Sequence, residues 1–293
     1  MKVIGMGEAL WDILPEGKKI GGAPANFAYH VKQFGLDSCA VSAIGDDPLG
    51  KELVEQFDNK DITYHLDIVP YPTGTVLVTL DEARIPQYEI KENVAWDNIP
   101  YSDELKALAK DTKAVCFGSL AQRNIVSRET INRFIDDIPA ENEPLIVFDI
   151  NLRQHFYTKE VIQDSLRKCN ILKINDEEMV VVSHLFGYPG LDLENIGWLI
   201  LGKYNLSMLI LTCGTRGSYV FTPGELSFME TPVIPEDELG DTVGAGDSFT
   251  AAFIAGILKG KSIREAHRMA VETSAFVCTQ NGAMPTLPDS LTK

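Results

Sequence analysis

The feature that most constrains the fold is the alternation of short apolar runs with longer segments of helical periodicity. Six runs lack a polar face, as is typical of strands covered by helices on both sides. They are Val3–Gly7, Cys39–Ile44, Ala114–Gly118, Leu145–Ile150, Ile171–Ile174 and Leu209–Thr212. The helical segments are Pro24–Phe34, Pro48–Asn59, Ser102–Lys110, Ser127–Ile135, Lys159–Lys168, Ser248–Leu258 and Ile263–Thr279. This alternation predicts an α/β fold with a doubly wound, mostly parallel sheet flanked by helices.

Two segments depart from this alternation. Strand-like residues follow one another without a helix from about 62 to 98, and a further short strand candidate lies at about 13–20. They predict a small antiparallel sheet beside the main one, and such a sheet over a cleft can serve as a lid. A plain edge hairpin explains the pattern equally well. We expect one α/β domain over residues 1–293, with the lid inserted at these two places.

Charge and cysteine content narrow the class of protein. The formal net charge is −16 and no basic stripe is present, so we expect no nucleic-acid partner and no membrane partner. The five cysteines are scattered without a C-x-x-C pair, which is typical of reduced thiols. No apolar run approaches the length of a membrane span, and the N-terminus lacks a signal-peptide pattern. The sequence therefore predicts a cytoplasmic protein.

The segment Gly240–Asp247 places glycines and carboxylates directly before an apolar helical segment. Gly244 and Gly246 can adopt positive φ, so several amides can converge on one point, and unpaired amides at a helix start favour an anion. Asp247 stands at this junction, where its carboxylate can accept a proton from a hydroxyl. An Asp at a helix start is equally typical of an N-cap. A base beside an anion hole predicts phosphoryl transfer to an alcohol.

Two motifs carry a family resemblance. The heptad Asp-Thr-x-Gly-Ala-Gly-Asp at 241–247 resembles the C-terminal signature of the ribokinase-like (PfkB) carbohydrate kinases. The segment Gly-Gly-Ala-Pro-Ala-Asn at 21–26, with its continuation to residue 50, is similar to the N-terminal signature of that family. The resemblance implies an ATP-dependent sugar kinase with Mg²⁺ as cofactor and a β-sheet lid on the α/β domain.

The resemblance also implies roles for individual residues. Asp247 is the catalytic base, and Gly244, Ala245 and Gly246 belong to the anion hole. The implied sugar ligands are Asp12, Gly22, Asn26 and Arg153, and the implied nucleotide-binding residues are Asn175, Thr212, Gly214 and Gly217. Glu178, in an Asn-x-x-Glu motif, positions Mg²⁺ through water. Asp241 and the loop 277–283 hold K⁺ in potassium-activated members, although Val277 and Gln280 depart from the ribokinase pattern.

From the residues alone, several of these positions have structural explanations as well. Asp12 fits a loop carboxylate, and Arg153 fits a structural ion pair. Asn175 fits a helix start whose acidic neighbours complement the helix dipole. The glycines after Thr212 fit a tight hairpin.

The nature of the substrate rests on the resemblance and on charge. Segments 21–26 and 117–123 look most like fructokinases, and ribokinases and 2-keto-3-deoxygluconate kinases share much of the same frame. The lid carries Arg84 and Lys91, with Lys18 and Lys19 nearby. So few cations disfavour a phosphorylated substrate, because a phosphate group is best held by a bidentate Arg clamp. Fructose is the predicted substrate.

Two alternatives belong to other classes, and the family also suggests an assembly. One alternative is a non-catalytic sugar-binding paralogue. The other is a dinucleotide-dependent oxidoreductase built on Gly5-Met6-Gly7, although Leu10 stands where the fingerprint needs glycine. Family members commonly dimerise through the lid, so we expect a homodimer whose lid edges are paired.

Overall fold

The computed structural model of the chain describes residues 1–14, 17–80, 86–188 and 190–292. Its strands are β1 (Lys2–Met6), β2 (Leu10–Leu14), β3 (Gly17–Gly21), β4 (Ser38–Gly45), β5 (Tyr64–Val69), β6 (Gly74–Leu80), β7 (Pro86–Ile90), β8 (Thr112–Phe117), β9 (Leu145–Asp149), β10 (Ile171–Asn175), β11 (Met208–Thr212), β12 (Ser218–Thr222) and β13 (Glu225–Met229). Its α-helices are α1 (Ala23–Gln33), α2 (Pro48–Asn59), α3 (Asp103–Lys110), α4 (Ile125–Asp136), α5 (Lys159–Lys168), α6 (Asp176–Phe186), α7 (Leu193–Lys203), α8 (Ala245–Leu258), α9 (Ile263–Val277) and α10 (Asp289–Thr292). Arg84 lies outside the described residues.

Nine strands form the main sheet, in the order β13-β12-β11-β10-β9-β8-β1-β4-β5. Neighbours from β11 to β5 run parallel, whereas β12 and β13 form an antiparallel hairpin at one edge. The predicted doubly wound, mostly parallel α/β sheet is confirmed. Parallel strands end at the same edge of a sheet, so the loops after β8, β9, β10 and β11 gather on one side of the molecule.

Helices cover both faces of this sheet because successive strand residues point in opposite directions. In β9, Val147 packs against a core formed with α1, α8 and α9. The next residue, Phe148, packs into a core formed with helices α3 to α7. Both side chains are fully buried, and each such burial contributes about 1.5–3 kcal/mol to folding. The two cores explain why the strands lack a polar face.

A second, small sheet has the order β3-β2-β6-β7. It corresponds to the predicted lid segments, but two details of the prediction were wrong. First, β5 pairs in parallel with β4 at the edge of the main sheet, so the range 62–98 wrongly included a main-sheet strand. Second, β2 pairs with β6 in parallel, which makes the small sheet mixed rather than antiparallel. Helix α2 connects β4 to β5 as a crossover, and the half-buried residues of β5 do not distinguish it from a lid strand.

Helix α7 has no counterpart in the sequence prediction. Glycines interrupt its apolar pattern, and glycine is a poor helix former. Gly197 has a packing reason, because a Cβ there would lie 2.9 Å from the ring of Phe221. Among the described residues, no helix combines the length and the apolar character that a bilayer crossing needs.

Candidate active site

The Gly-Ala-Gly-Asp run forms the first turn of α8, which begins at Ala245 rather than at the predicted Ser248. Gly244 is the N-cap and has φ 77°, in the left-handed region that favours glycine. A Cβ on Gly244 would also lie 2.7 Å from Ala283, so this position has no room for a side chain. The carbonyl of Thr242 accepts from the amide of Ala245 at 3.3 Å.

The amides at the start of α8 point away from the helix. No side chain caps it, and in the described part of the chain no hydrogen bond engages the amides of Gly246 and Asp247. Unpaired amides of this kind attract an anion. Gly246, which was expected to use positive φ, is helical instead. The turn therefore offers two free donors, with Ala245 already engaged by Thr242.

The carboxylate of Asp247 contacts the other glycine-rich segment. Asn26 Nδ2 donates to Asp247 Oδ2 at 2.7 Å. Asn26 lies in the first turn of α1, whose N-cap is Gly22 with φ 115°. A Cβ on Gly22 would lie 2.2 Å from the carbonyl oxygen of Glu8, so only glycine fits there. Asn26 Oδ1 is buried without a partner among the described residues, which leaves an acceptor beside Asp247.

The surroundings of Asp247 adjust its proton affinity. Burial raises the pKa of the Asp247 carboxyl to about 6, and the negative charge of Asp149 contributes to this rise. The Asn26 hydrogen bond and the positive charges of Lys173 and Arg153 act in the opposite direction on the same pKa. Asp247 is thus mostly ionised at neutral pH, yet it is a stronger base than an ordinary aspartate. That combination suits a general base.

A small cavity below Asp247 contains a group that sequence reasoning missed. Its lining includes Glu8, Asp149, Asn151 and Thr250. Glu8 is 3% exposed and its Oε2 has no partner among the described residues. Burial raises the pKa of Glu8 to about 7, the charge of Asp247 adds to the rise, and nearby amides oppose it. Glu8 follows a buried strand in the sequence, which was the available signal.

Asp12 lies within strand β2 of the small sheet, so the alternative interpretation of Asp12 as a loop carboxylate was wrong. Burial raises the pKa of Asp12 to about 6, against the charges of Arg153 and Lys19. Its Oδ2 would lie 2.5 Å from a Cβ on Gly21, so glycine makes room for this carboxylate. Among the described residues, no hydrogen bond engages the side chain of Asp12, which leaves its carboxylate oxygens available to hydroxyl groups.

Arg153 extends into the same region from the loop after β9. Asn151 and Gln154 adopt left-handed φ values of 44° and 47°, which turn the chain sharply on either side of it. Arg153 is exposed, and its Nη1 donates to the carbonyl of Leu152 at 3.0 Å. The expected alternative, a structural ion pair, is not formed within the described residues. Its charge instead lowers the pKa values of carboxyls in the cleft, as described above.

The residues expected to bind nucleotide lie at the ends of adjacent strands. Asn175 ends β10 and is the register partner of Thr212, which ends β11. Gly214 and Gly217 follow with φ 55° and 110° and form the tight connection to β12. A Cβ on Gly217 would lie 2.4 Å from the carbonyl oxygen of Met229, so the hairpin explains this glycine by itself.

Glu178 is engaged by backbone amides. Asn175 and Glu178 form a capping box at the start of α6, and Glu178 Oε1 accepts from the amide of Leu152 at 2.9 Å. Burial raises the pKa of Glu178, partly offset by Lys173. The described residues contain no group of three side chains placed to hold a metal ion. This donor set fits Mg²⁺ that keeps its waters and arrives on nucleotide phosphates, because Mg²⁺ dehydrates reluctantly.

Asp241 connects three parts of the structure. Its Oδ1 accepts from the amide of Val243 at 3.1 Å, and its Oδ2 accepts from the amide of Gly282 at 2.8 Å. Lys19 Nζ of strand β3 lies 3.6 Å from Oδ2. Asp241 therefore joins the segment before α8 to the last loop and to the small sheet.

Comparison with known proteins decides the family. Residues 16–290 match the family described as pfkB family carbohydrate kinase. The chain belongs to the PfkB carbohydrate kinase family. The predicted family and the predicted enzyme class, a carbohydrate kinase, are thereby confirmed.

The relatives of this PfkB kinase are named for different sugar substrates. The chain is 31% identical over 282 residues to an ATP-dependent 6-phosphofructokinase of Thermoanaerobacterium thermosaccharolyticum, covering 93% of this chain and 83% of the relative. It is 27% identical over 308 residues to a fructokinase of Klebsiella pneumoniae, covering 98% and 96%. The solved structure of an uncharacterised sugar kinase of Pyrococcus horikoshii in complex with ATP superposes with a TM-score of 0.80 at 26% identity, covering 97% and 94%.

Proposed function

We propose that this PfkB kinase transfers the γ-phosphoryl group of ATP to a primary hydroxyl of a free sugar, with fructose as the substrate. The observation that carries the proposal is the meeting of Asp247, Asn26 and two unpaired amides at one point. A base, an acceptor for a sugar hydroxyl and an anion hole are the groups that this reaction needs.

The reaction follows from that geometry. Asp247 accepts the proton of the hydroxyl as its oxygen attacks the γ-phosphorus, and the bond from that phosphorus to the bridging oxygen of ADP breaks. The amides of Gly246 and Asp247 neutralise charge on the transferred group, and Gly244 shapes the turn. Mg²⁺ bound to the phosphates, its waters oriented by Asn175 and Glu178, would offset their negative charge.

In the proposed complex, the sugar binds on one side of Asp247 and the nucleotide binds on the other. Asp12 and Asn26 bind hydroxyls of the sugar, Gly22 allows close approach, and Arg153 assists the substrate. Thr212, Gly214 and Gly217 bind the nucleotide. The small sheet acts as a lid on the sugar, tied to the active-site loop by the contact of Lys19 with Asp241.

The pairing of lysines in the small sheet bears on whether the sugar carries a phosphate. Lys18 pairs with Glu52, Lys91 with Glu89, and Lys19 with Asp241. Each of these lysines already pairs with a carboxylate, which among the described residues leaves Arg153 as the cation placed near the sugar, and a single arginine suits a hydroxyl-rich sugar as well as a phosphate. Fructose 6-phosphate is the second candidate, because a 6-phosphofructokinase is among the relatives.

Two finer features stay predictions of the family pattern. Stimulation by K⁺ at Asp241 would appear as a higher rate in potassium than in tetramethylammonium salts. A homodimer through the small sheet would pair the exposed edge strand β3, and analytical ultracentrifugation would detect its mass.

The test is release of ADP from Mg-ATP over a panel of acceptors. The panel contains fructose, ribose, 2-keto-3-deoxygluconate, nucleosides and fructose 6-phosphate. We expect the highest kcat/KM with fructose. A higher kcat/KM with any other member reassigns the substrate, and ADP release with none of them contradicts the proposed reaction.

A further inference from the structure

A buried lysine lies directly beneath the proposed anion hole. Lys173, in strand β10, is 7% exposed, and its Nζ lies 3.2 Å from Asp149 Oδ1 on the neighbouring strand. Asp149 Oδ2 in turn accepts from Thr250 Oγ1 of α8 at 3.0 Å. An ammonium group in the middle of a strand, with the apolar residues Ile171, Leu172 and Ile174 around it in the sequence, is costly to bury. Its retention calls for a reason.

The lack of a side chain at Gly246 explains how the ammonium group of Lys173 fits at this place. A Cβ at residue 246 would lie 3.0 Å from Lys173 Nζ and 3.9 Å from Lys173 Cε. Because Gly246 is helical, its conformation does not require glycine. The absence of a side chain at Gly246 instead makes room for the ammonium group of Lys173. This group therefore lies against the first turn of α8, whose free amides form the proposed anion hole.

Three carboxylates surround the single positive charge of Lys173, so the negative charges outnumber it. Burial opposes its ionisation, but Asp149, Glu178 and Asp247 outweigh burial and raise the pKa of Lys173 above its ordinary value. The ammonium group of Lys173 thus attracts three carboxylates, and of these it contacts Asp149 directly. The positive charge of Lys173 also acts on Asp247 at the start of α8, where it lowers the pKa of that carboxyl.

We propose that Lys173 is a positioning residue for phosphoryl transfer, whose buried ammonium keeps Asp247 ionised and strengthens the anion hole at Gly246 for the terminal phosphate of the nucleotide. This inference rests on the proposed kinase reaction at the same site. It adds a cation that contacts neither sugar nor phosphate and acts through the turn between them.

The first test uses nucleotide binding alone, so it does not depend on the sugar. Lys173→Met keeps the length of the side chain and removes its charge. We expect calorimetry with Mg²⁺ to show that a non-hydrolysable ATP analogue loses about 10-fold in affinity while ADP loses less than about 3-fold, because only the former brings a γ-phosphate to the turn. Equal losses for both nucleotides, or none, overturn the proposal.

The second test is the pH profile of kcat with the best sugar of the panel. Among the described residues, the titratable and charged groups that act on Asp247 are Glu8, Cys116, Asp149, Lys173 and Arg153, and Asn26 donates to it. Removing one cation from this set should move the acid limb of kcat upward by about one pH unit and lower kcat by about 10-fold at neutral pH, with KM for the sugar nearly unchanged. If Lys173 were only structural, the acid limb of the kcat profile would stay at the same pH in Lys173→Met.

The matched control and a second variant address folding. Lys113→Met makes the same change in β8, where Lys113 binds carbonyls at the opposite end of the sheet, and it should leave both readouts unchanged. Gly246→Ala suits a helix and places its methyl group against Nζ, so it should reproduce a weaker form of the Lys173→Met effects. In the double variant the two effects should not multiply, whereas independent effects refute the coupling. A wild-type protein that phosphorylates no sugar contradicts the proposed function, and the binding comparison still tests Lys173.

Discussion

Asn26 donates a 2.7 Å hydrogen bond to Asp247 across 221 positions of sequence. The contact joins the first turn of α1 to the first turn of α8, and each of these helices begins at a glycine N-cap with positive φ. The two glycine-rich segments therefore converge on one carboxylate. Five predictions follow from this site and its surroundings.

Asp247→Asn should lower kcat by about 10²–10⁴-fold, because the amide cannot accept the hydroxyl proton. The melting temperature should stay close to that of the wild type, since the substitution is isosteric. Steady-state ADP release and calorimetric melting check the two outcomes. Asp192→Asn, at the N-cap of α7, makes the same change at a helix start outside the proposed site and serves as control. A near-normal kcat in Asp247→Asn would contradict its role as base.

Asn26→Ala should lower kcat/KM by about 10–100-fold, because a hydrogen bond to a charged group contributes about 1.5–3 kcal/mol. The loss of its donor should also raise the pKa of Asp247, so the acid limb should move to higher pH. Rates measured between pH 5 and 8 separate the two effects. An unchanged limb would mean that Asn26 only contacts substrate.

The wild-type kcat/KM, which reports the pKa of the free enzyme, should increase as pH rises through about 6 and then level off. Asp247 accepts a proton only when ionised, and its pKa is about 6. Activity is therefore lost as pH falls through that value, not gained. Initial rates in buffers of constant ionic strength give the profile. A midpoint near 4, typical of an unperturbed aspartate, would show that the base is not in this environment.

Glu8→Gln should stabilise the fold at pH 8 and have little effect at pH 5. Folding raises the pKa of Glu8 from 4.5 to about 7, so the folded protein keeps a proton that the unfolded chain releases between these values. Stability is therefore lost as pH rises through this window, and glutamine removes that loss, worth about 1–3 kcal/mol. Urea unfolding at both pH values measures the difference. Equal changes at both would contradict the assignment.

Lys19→Met should raise KM for the sugar by about 2–5-fold and leave KM for ATP unchanged. Its contact with Asp241 at 3.6 Å ties strand β3 to the active-site loop, and a half-exposed ion pair contributes about 0.2–1 kcal/mol. Lys18→Met removes the neighbouring lysine, which pairs with Glu52 of α2, and is the matched control. An equal rise in both variants would point to general loosening of the small sheet.

Much of the fold was predictable because parallel strands buried on both faces have an unambiguous pattern. The ends of α2 and α5 agree with the sequence, since Pro48 and Thr158 mark their starts. Strand β5 was misassigned because residues of an edge strand are only half buried. Helix α7 was missed because Gly197 has a packing role that local propensity cannot reveal.

The candidate site was predictable only where chemistry and spacing coincide. The segments ending at Asn26 and Asp247 are dense in glycine and polar residues, so both were identifiable. Lys173 lies within an apolar strand and Glu8 shortly after one, and neither position reveals which charged groups the side chain meets in the folded protein. Which carboxylate a lysine meets is decided by strand register, which local sequence does not encode.

Asp12 belongs to the small sheet, whereas Asp247 stands on a helix of the large layer. In the proposed reaction the small sheet thus contributes one sugar ligand, whereas Asn26 and Asp247 lie together on helices of the large layer. A change confined to the small sheet would therefore alter one contact to the sugar and leave the reacting groups untouched. In this way the sugar preference of such a kinase can change through the small sheet while its reaction centre stays the same.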